Sequence, residues 1–217
     1  MAIAARDLGL EYFGICDHSK SAGYANGLSI ERVQQQHQEI DELNKALNPF
    51  KIFKGIESDI LSDGSLDYPN DILSTFDFVV ASVHSGLKME EDKATTRLIN
   101  AIENPYTRIL GHPTGRLLLS REGYPIDHEK VIDACIANKV VIEINAHPRR
   151  LDIDWKWIMR AQDKGAILSV NPDAHHADGY KDVRFGVLAS QKGCLKRTSN
   201  LSSYTLTEFE DFLVNYK

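Results

Sequence analysis

The chain of 217 residues is long enough for one substantial domain and somewhat short for two. Its 42% hydrophobic and 26% charged residues are typical of a soluble globular protein, and no apolar run approaches the roughly 18 residues that span a membrane. The net charge of −6 argues against broad, non-specific phosphate binding, although bound divalent ions would make a local acidic site electropositive.

Short apolar segments alternate with helical segments along the chain, in the order typical of a parallel α/β fold. The strand at 77–83 is apolar almost throughout, as expected for a parallel strand buried on both faces. Because no linker, low-complexity tract or repeat interrupts this order, we predict one α/β domain. The predicted helices are at about 2–8, 29–48, 70–75, 91–103, 126–138, 154–164, 182–192 and 206–215. The predicted strands are 11–16, 51–57, 77–83, 108–111, 140–144 and 167–171.

Most of the predicted strands lead directly into a residue that can bind a metal ion. In a parallel barrel or sheet the carboxyl ends of the strands form one face, so we expect these residues to lie together. Carboxylate oxygens and imidazole nitrogens, without a thiolate, suit divalent ions such as Zn, Mn or Fe. The sequence therefore predicts a multinuclear metal site. Its candidate ligands are His18, Glu57, His84, His112, Asp173 and His175.

The remaining histidines give weaker signals. His37 is expected on the exposed side of the long helix, and His128 and His176 are expected to be bystanders. His147 follows the fifth strand and stays open as an additional ligand.

A metal centre that acts on a phosphoester needs cations to hold the phosphoryl oxygens. Lys20 and Arg116 lie within a few residues of candidate ligands, and Arg149 and Arg150 follow the fifth strand. Either pair could bind a phosphoryl group, since the planar guanidinium matches its oxygens. Surface ion pairs are the alternative for all four.

The cysteines and the amino-terminal segment bear on location. Cys16, Cys135 and Cys194 are odd in number and widely spaced, which predicts reduced thiols and a cytoplasmic protein. The first helix contains Asp7 and lacks a cleavage-site pattern, so we do not expect a signal peptide.

Six short segments carry the candidate chemistry: Asp17-His-Ser-Lys20, Gly55-Ile-Glu57, Ala81-Ser-Val-His84, Gly111-His-Pro-Thr-Gly-Arg116, Glu143-Ile-Asn145 and Asp173-Ala-His175. In composition and order they resemble the PHP (polymerase and histidinol phosphatase) domain, above all the version at the carboxyl end of bacterial and archaeal family X DNA polymerases. Segments 54–67 and 97–105 are also similar to that version. The resemblance therefore covers essentially the whole chain.

This resemblance implies a distorted seven-stranded, TIM-like (β/α) barrel with up to three divalent ions, Mn or Zn, at its carboxyl face. It implies that Glu57 bridges the first and second ions and that His84 and His112 complete the second.

The resemblance also assigns the remaining groups. Asp173 would bind the first ion, His18 and His175 the third, and Asp17 would orient a ligand. The catalytic residues would then be Glu57, Asp173 and Arg116, with phosphate held by Lys20, Arg116 and Arg149.

The implied activity is hydrolysis of phosphoester bonds at DNA 3′ ends, as a 3′–5′ exonuclease used in DNA repair, with a polymerase domain upstream in the parent protein. Two alternatives remain: a catalytically silent PHP module that supports a polymerase, and a stand-alone phosphatase similar to histidinol phosphatase.

The chain departs from the family pattern at its start. The family begins with a strand that ends in His-x-His, whereas this sequence begins in the helix that follows that strand. We therefore expect residues 1–217 to form a single domain truncated at its amino terminus, with fewer than three ions bound. We also expect a gap in the barrel, whose exposed strand edges favour a homo-oligomer.

Overall fold

The computed structural model describes residues 1–215, which form a parallel six-stranded sheet with helices packed on its outer face. Every strand pairs with its neighbour in the sequence, so the sheet order is β1-β2-β3-β4-β5-β6. This order is the one in which successive β/α units wind around a common axis. The strands are β1 (Tyr12–His18), β2 (Lys51–Asp59), β3 (Phe78–Ser82), β4 (Thr107–Leu110), β5 (Val141–Asn145) and β6 (Leu168–Asn171).

The predicted α/β alternation and the six predicted strands are confirmed. The strands β1 and β2 both extend two residues beyond their predicted ends, so His18 lies within β1 rather than after it, and Glu57 lies inside β2 rather than at its end. Ser29 caps the helix that begins at Ile30, because its hydroxyl accepts a hydrogen bond from the backbone N–H of Arg32. The helices are α1 (Ala2–Asp7), α2 (Ile30–Ala46), α3 (Asn70–Leu73), α4 (Glu91–Ile102), α5 (His128–Ala137), α6 (Trp155–Asp163), α7 (Val183–Lys192) and α8 (Leu206–Asn215).

The two faces of the sheet differ because side chains alternate along each strand. The outer face is apolar and packs against the helices, with Ile56, Val79 and Ile142 among its fully buried residues. The inner face is apolar near the amino ends of the strands, where Phe209 of α8 packs against Phe53 at a ring-centroid distance of 4.8 Å. Toward the carboxyl ends the inner face becomes polar. The fold thus closes one end of the curled sheet and leaves the other end for polar side chains.

Two glycines on the inner face make room for Phe78. A Cβ atom at Gly14 would lie 2.4 Å from the Phe78 ring, and one at Gly55 would lie 2.7 Å from it. Since real Cβ atoms do not approach other atoms this closely, the ring can cross β1 and β2 only where both residues lack a side chain.

The sheet is open between its first and last strands. Within the described residues β1 pairs only with β2, and β6 pairs only with β5. A cleft of about 1260 Å³ lies between these two edges, and residues of both β1 and β6 line it.

One predicted placement is wrong. His37 is half-buried rather than solvated, because α2 turns its ring onto Phe76 at a centroid distance of 4.9 Å. All three cysteines are free thiols, as predicted. Among residues 1–215, no helix is both long and apolar enough to cross a membrane.

Candidate metal centre

Glu57 is the central group of the candidate site. It lies on the inner face of β2, and three imidazoles from three other chain segments approach its carboxylate. His112 Nε2 and His84 Nε2 lie 3.1 Å and 3.3 Å from Oε1, and His18 Nδ1 lies 3.4 Å from Oε2. Burial alone would raise the pKa of Glu57, but hydrogen bonds and charge from His112 and His84 hold that pKa well below its usual range.

His84 is held from its other side by Asp59. The Nδ1–H of His84 donates to Asp59 Oδ1 at 2.5 Å, and both side chains are buried. Burial opposes protonation of His84, yet the hydrogen bonds to Asp59 and Glu57 outweigh it and raise the pKa to about 9. With Nδ1 engaged by a carboxylate, Nε2 is directed at Glu57. This is the arrangement in which an outer carboxylate orients a metal-binding imidazole.

His18 and His112 complete the inner group. The ring centroid of His84 lies 4.8 Å from that of His18 and 5.1 Å from that of His112. Burial is the main reason that the pKa of His18 is lowered. This favours the neutral imidazole, whose unprotonated nitrogen can act as a ligand.

His112 adopts an unusual backbone conformation that a buried carboxyl stabilises. Its φ is +23°, and its backbone N–H donates to Glu143 Oε2 at 2.6 Å. Burial raises the pKa of Glu143 to about 7. Glu143 also accepts from Asn171 at 2.9 Å and from Asn145 at 3.3 Å, so it joins β4, β5 and β6 beneath the candidate site.

Asp173 and His175 form a second group beside the first. Asn145 connects Asp173 to the Glu143 network by donating to its Oδ2 at 3.1 Å. The His175 ring is 68% exposed, with its centroid 6.1 Å from that of His18. Four of the six predicted ligands, His18, Glu57, His84 and His112, are therefore brought into direct contact, while Asp173 and His175 lie at the adjacent edge.

Arg150 is the cation that lies beside the second group. Its Nε is 3.4 Å from Asp173 Oδ2, and its Nη1 is buried with no hydrogen-bond partner among the described residues. The loop that carries it is anchored, because Arg116 donates to the carbonyl oxygens of Arg150 and Leu151.

The three cations predicted to hold phosphate lie elsewhere. Arg116 pairs with Asp154 at 2.6 Å as well as with those carbonyls, so its guanidinium is already engaged. Lys20 is exposed, with its Nζ 5.8 Å from the ring centroid of Tyr68, and Arg149 is exposed. Their predicted roles stay predictions, and these contacts do not favour the role given to Arg116.

The remaining predicted residues lie outside the cluster. Asp17 is exposed and accepts a hydrogen bond from Gln36 of α2 instead of orienting an imidazole. His147 accepts from the backbone N–H of Arg149, and the His128 ring stacks on Trp157 at 4.3 Å. His176 precedes a short 3-10 turn.

The donor set fits a divalent ion. One ligand atom from each of Glu57, His84 and His112 lies within 4.8 Å of the other two, and His18, Asp59 and His84 form a second such group. Nδ1 of both His18 and His112 is buried without a hydrogen-bond partner among the described residues. Carboxylate and imidazole donors suit Zn or Mn, and a bound cation would offset the cost of burying these polar groups together.

The sequence prediction did not include two residues of this site, Asp59 and Tyr24. Asp59 was detectable, because it follows Glu57 by two positions in an extended strand and therefore shares its face. Arg150 was named with Arg149 as a possible phosphate-binding pair, and the role was then assigned to Arg149. Tyr24, whose ring centroid lies 5.8 Å from that of His18, had no signal in the sequence pattern.

No protein-family model matches the chain. The chain is 41% identical over 213 residues to the DNA polymerase/3′-5′ exonuclease PolX of Bacillus subtilis, which covers 98% of this chain and 37% of that protein. It is 34% identical over 143 residues to a probable phosphatase of Thermoanaerobacter sp., which covers 61% of this chain and 56% of that protein. The chain thus spans between about a third and somewhat over half of the length of these relatives.

The fold is similar to that of a solved enzyme. A histidinol phosphate phosphatase from Lactococcus lactis, crystallised with Zn, L-histidinol and phosphate, superposes with a TM-score of 0.60 at 15% identity, covering 88% of this chain and 85% of that one. The curled α/β sheet of this chain is therefore similar to the fold of that phosphatase, and its relatives by sequence are named as a probable phosphatase and as a DNA polymerase/3′-5′ exonuclease.

Proposed function

We propose that this chain is a PHP-type, metal-dependent phosphoesterase domain. The observation that carries the proposal is the convergence of His18, His84 and His112 on the buried carboxylate of Glu57. A purely structural cluster has little reason to place three imidazoles and one carboxylate at the polar end of the sheet, since burying them is costly without a shared cation.

The proposed ligands are those that the sequence predicted. Glu57, His84 and His112 hold one divalent ion, Mn or Zn. His18, with Asp173 and His175, forms the adjacent binding edge. The open edges of β1 and β6 and the cleft between them support a (β/α)7 barrel that lacks one strand in this chain, and self-association through these edges stays a prediction.

When bound, a divalent ion supplies activation of water and charge compensation for a phosphoryl group. The residues of this chain position the reaction. Asp59 fixes the orientation of the His84 ring, and Glu143 fixes the backbone of His112. Arg150 is the proposed phosphate-binding cation, because an ion on Asp173 would compete for that carboxylate and free its guanidinium for phosphoryl oxygens.

The proposed substrate is the phosphoester at a DNA 3′ end, with 3′–5′ exonuclease or related end processing in DNA repair. The support is the 41% identity to PolX of Bacillus subtilis, which extends over 98% of this chain. The proposed partner is the polymerase portion of a longer protein, since this chain corresponds to 37% of that relative.

A second candidate is a phosphatase for a small phosphomonoester. Its support is the similarity to proteins named probable phosphatases and to the fold of histidinol phosphate phosphatase. The two candidates share the metal centre and differ in the substrate, which is a phosphoester at a DNA 3′ end in the first and a small phosphomonoester in the second.

An assay with two substrates tests the proposal. The metal-loaded chain is incubated with 3′-recessed DNA and with histidinol phosphate, each in Mn²⁺ and in Zn²⁺. Turnover of DNA supports the first candidate and turnover of the small ester the second. Glu57→Ala should abolish either activity and the bound metal, whereas Glu42→Ala, an exposed position on α2, should leave both unchanged. Bound metal without turnover of either substrate would contradict the proposal and favour a silent module.

A further inference from the structure

Tyr24 stands at the mouth of the candidate metal centre. It lies in the short 3-10 turn Gly23–Ala25 that follows β1, and the residue is 71% exposed. The ring centroid lies 5.8 Å from that of His18 and 6.2 Å from that of His84, with interplanar angles of 62° and 61°. The ring is thus inclined to two proposed ligands rather than stacked on them, and most of the residue is exposed to solvent.

The loop that carries Tyr24 is fixed at both ends. Asp67 accepts hydrogen bonds from the backbone N–H and the hydroxyl of Ser21, and Ala22 is fully buried. On the other side, the backbone N–H of Leu28 donates to the backbone carbonyl oxygen of His18 at 2.9 Å. A Cβ atom at Gly27 would lie 1.9 Å from the carbonyl oxygen of Ser19, so the backbones pack closely there. The loop is therefore held against the end of β1, and the exposed ring is presented from a rigid support.

The Tyr24 ring is an uncharged, flat surface beside the proposed ligands, because a phenol keeps its proton at neutral pH. A flat aromatic surface of this kind can pack against another planar group.

A phosphoester bound at this centre must extend its leaving group toward solvent. If the phosphoryl group lies among Glu57, His84 and Arg150, the attached alcohol leaves the site past Tyr24. An exposed aromatic ring on a rigid loop stacks well on another planar ring, and every nucleobase has such a face.

We propose that Tyr24 is a stacking platform that selects phosphoesters whose alcohol carries a planar ring, in particular a nucleobase, over purely aliphatic esters. This inference rests on the proposed function and adds to it the class of leaving group. The alternative role is a cover that keeps water away from His18 and His84, which any apolar side chain could fill.

Two substrates that share the leaving sugar hydroxyl and differ in the base separate these roles. Thymidine 3′-monophosphate carries a base, and methyl 2-deoxyribofuranoside 3-phosphate has the same sugar hydroxyl and no base. The wild-type chain should prefer the nucleotide in kcat/KM by about 10- to 100-fold, the range expected for one stacked base. Tyr24→Leu, which keeps an apolar cover, should abolish this preference through KM and leave the abasic ester within about twofold.

Two further variants complete the test. Tyr24→Phe keeps the ring and should keep the preference, and Phe185→Leu, which removes another partly exposed ring on α7, should also keep it. Equal loss on both substrates in Tyr24→Leu, or no preference in the wild type, would overturn the inference. If neither ester is hydrolysed, the assay with 3′-recessed DNA and histidinol phosphate still decides the proposed function on its own. Calorimetry then measures the dissociation constants of the two esters. A tighter constant for the nucleotide that is lost in Tyr24→Leu supports the stacking role, and equal constants in the wild type overturn it.

Discussion

At the scale of single residues, the proposed metal centre depends on how His84 is held between two carboxylates. Asp59 accepts from one ring nitrogen at 2.5 Å, and Glu57 Oε1 lies 3.3 Å from the other. A ligand imidazole held in this way keeps both its orientation and its basicity. Asp59 is accordingly a positioning residue, whose effect on a bound ion passes through His84.

Replacing Asp59 should therefore weaken metal binding although the proposed ligands Glu57, His84 and His112 all remain. We expect Asp59→Asn to raise the dissociation constant for Mn²⁺ or Zn²⁺ by about 10- to 100-fold, the usual range for such outer contacts. Isothermal titration calorimetry measures the constant, and the Nδ1–H proton of His84 in the NMR spectrum should move upfield. Asp63→Asn, at an exposed site on the following turn, is the control. Unchanged affinity in Asp59→Asn would show that the contact does not position the ligand.

The raised pKa of His84 makes the stability of the metal-free chain depend on pH. The folded pKa of about 9 exceeds the ordinary value of 6.5, so the folded state binds the proton more tightly than the unfolded state. The stabilisation is complete below about pH 6.5 and is lost as pH rises to about 9, a change on the order of 3 kcal/mol. Urea unfolding in the presence of a chelator measures it. The pH dependence over this window should be smaller in Asp59→Asn, and an identical dependence in both proteins would contradict the assignment.

At the scale of elements, packing on the inner face of the sheet depends on two strand positions that are occupied by glycine. Phe78 lies across β1 and β2 because Gly14 and Gly55 leave space for its ring. At Gly55 a Cβ atom would also lie 2.6 Å from Cys16 Sγ and 2.7 Å from the carbonyl oxygen of Ile15. Since these neighbours include backbone, the strand cannot relax by a rotamer change alone.

Gly55→Ala should therefore lower the free energy of unfolding by about 1–3 kcal/mol, the typical cost of overpacking. The control is Gly23→Ala, where a Cβ atom would have no heavy atom within 4 Å. Both values follow from urea unfolding curves, with equal slopes expected for wild type and variants. A Gly55→Ala protein as stable as Gly23→Ala would mean that the inner face is looser than these distances indicate.

Most elements could be predicted from the sequence because the apolar pattern changes from helical to extended spacing at their boundaries. The ends of β1 and β2 could not, since polar residues such as Asp17 and Ser58 look like loop residues although both remain in register with their neighbours. The half-buried ring of His37 was missed because its two glutamine neighbours suggested a solvated face.

The site was predictable to a similar degree and for a similar reason. Strand ends that share one face put Glu57, His84 and His112 together, and that placement needs only the topology. Identifying which arginine lies beside Asp173 required the path of the loop after β5. In that loop Leu151 has a φ of +47°, and Arg116 donates to two carbonyl groups. Nothing in the sequence pattern specifies that path, so Arg150 could not be separated from Arg149.

At the scale of the whole molecule, the sheet carries its proposed functional residues at one end. The closed end is filled by Phe53, Phe78 and Phe209, and the polar end carries the candidate metal centre. The cleft of about 1260 Å³ runs along both edge strands and includes His18, Glu57 and Asp173 in its lining. The proposed metal centre is therefore open to solvent on the same side as the unpaired edges of β1 and β6. The strand proposed to be missing would lie on that side.

Anomalous diffraction from crystals of the chain soaked in Mn²⁺ shows whether Glu57 and its neighbouring imidazoles bind a metal ion, because it locates the ion without any assay of activity. We predict a peak bonded to the Glu57 carboxylate and to Nε2 of both His84 and His112, at ligand distances of about 2.0–2.3 Å. The same peak should be absent from Glu57→Ala crystals and present in Glu42→Ala crystals. A peak elsewhere on the protein, or three imidazoles that remain around Glu57 with no ion at saturating Mn²⁺, would contradict the account.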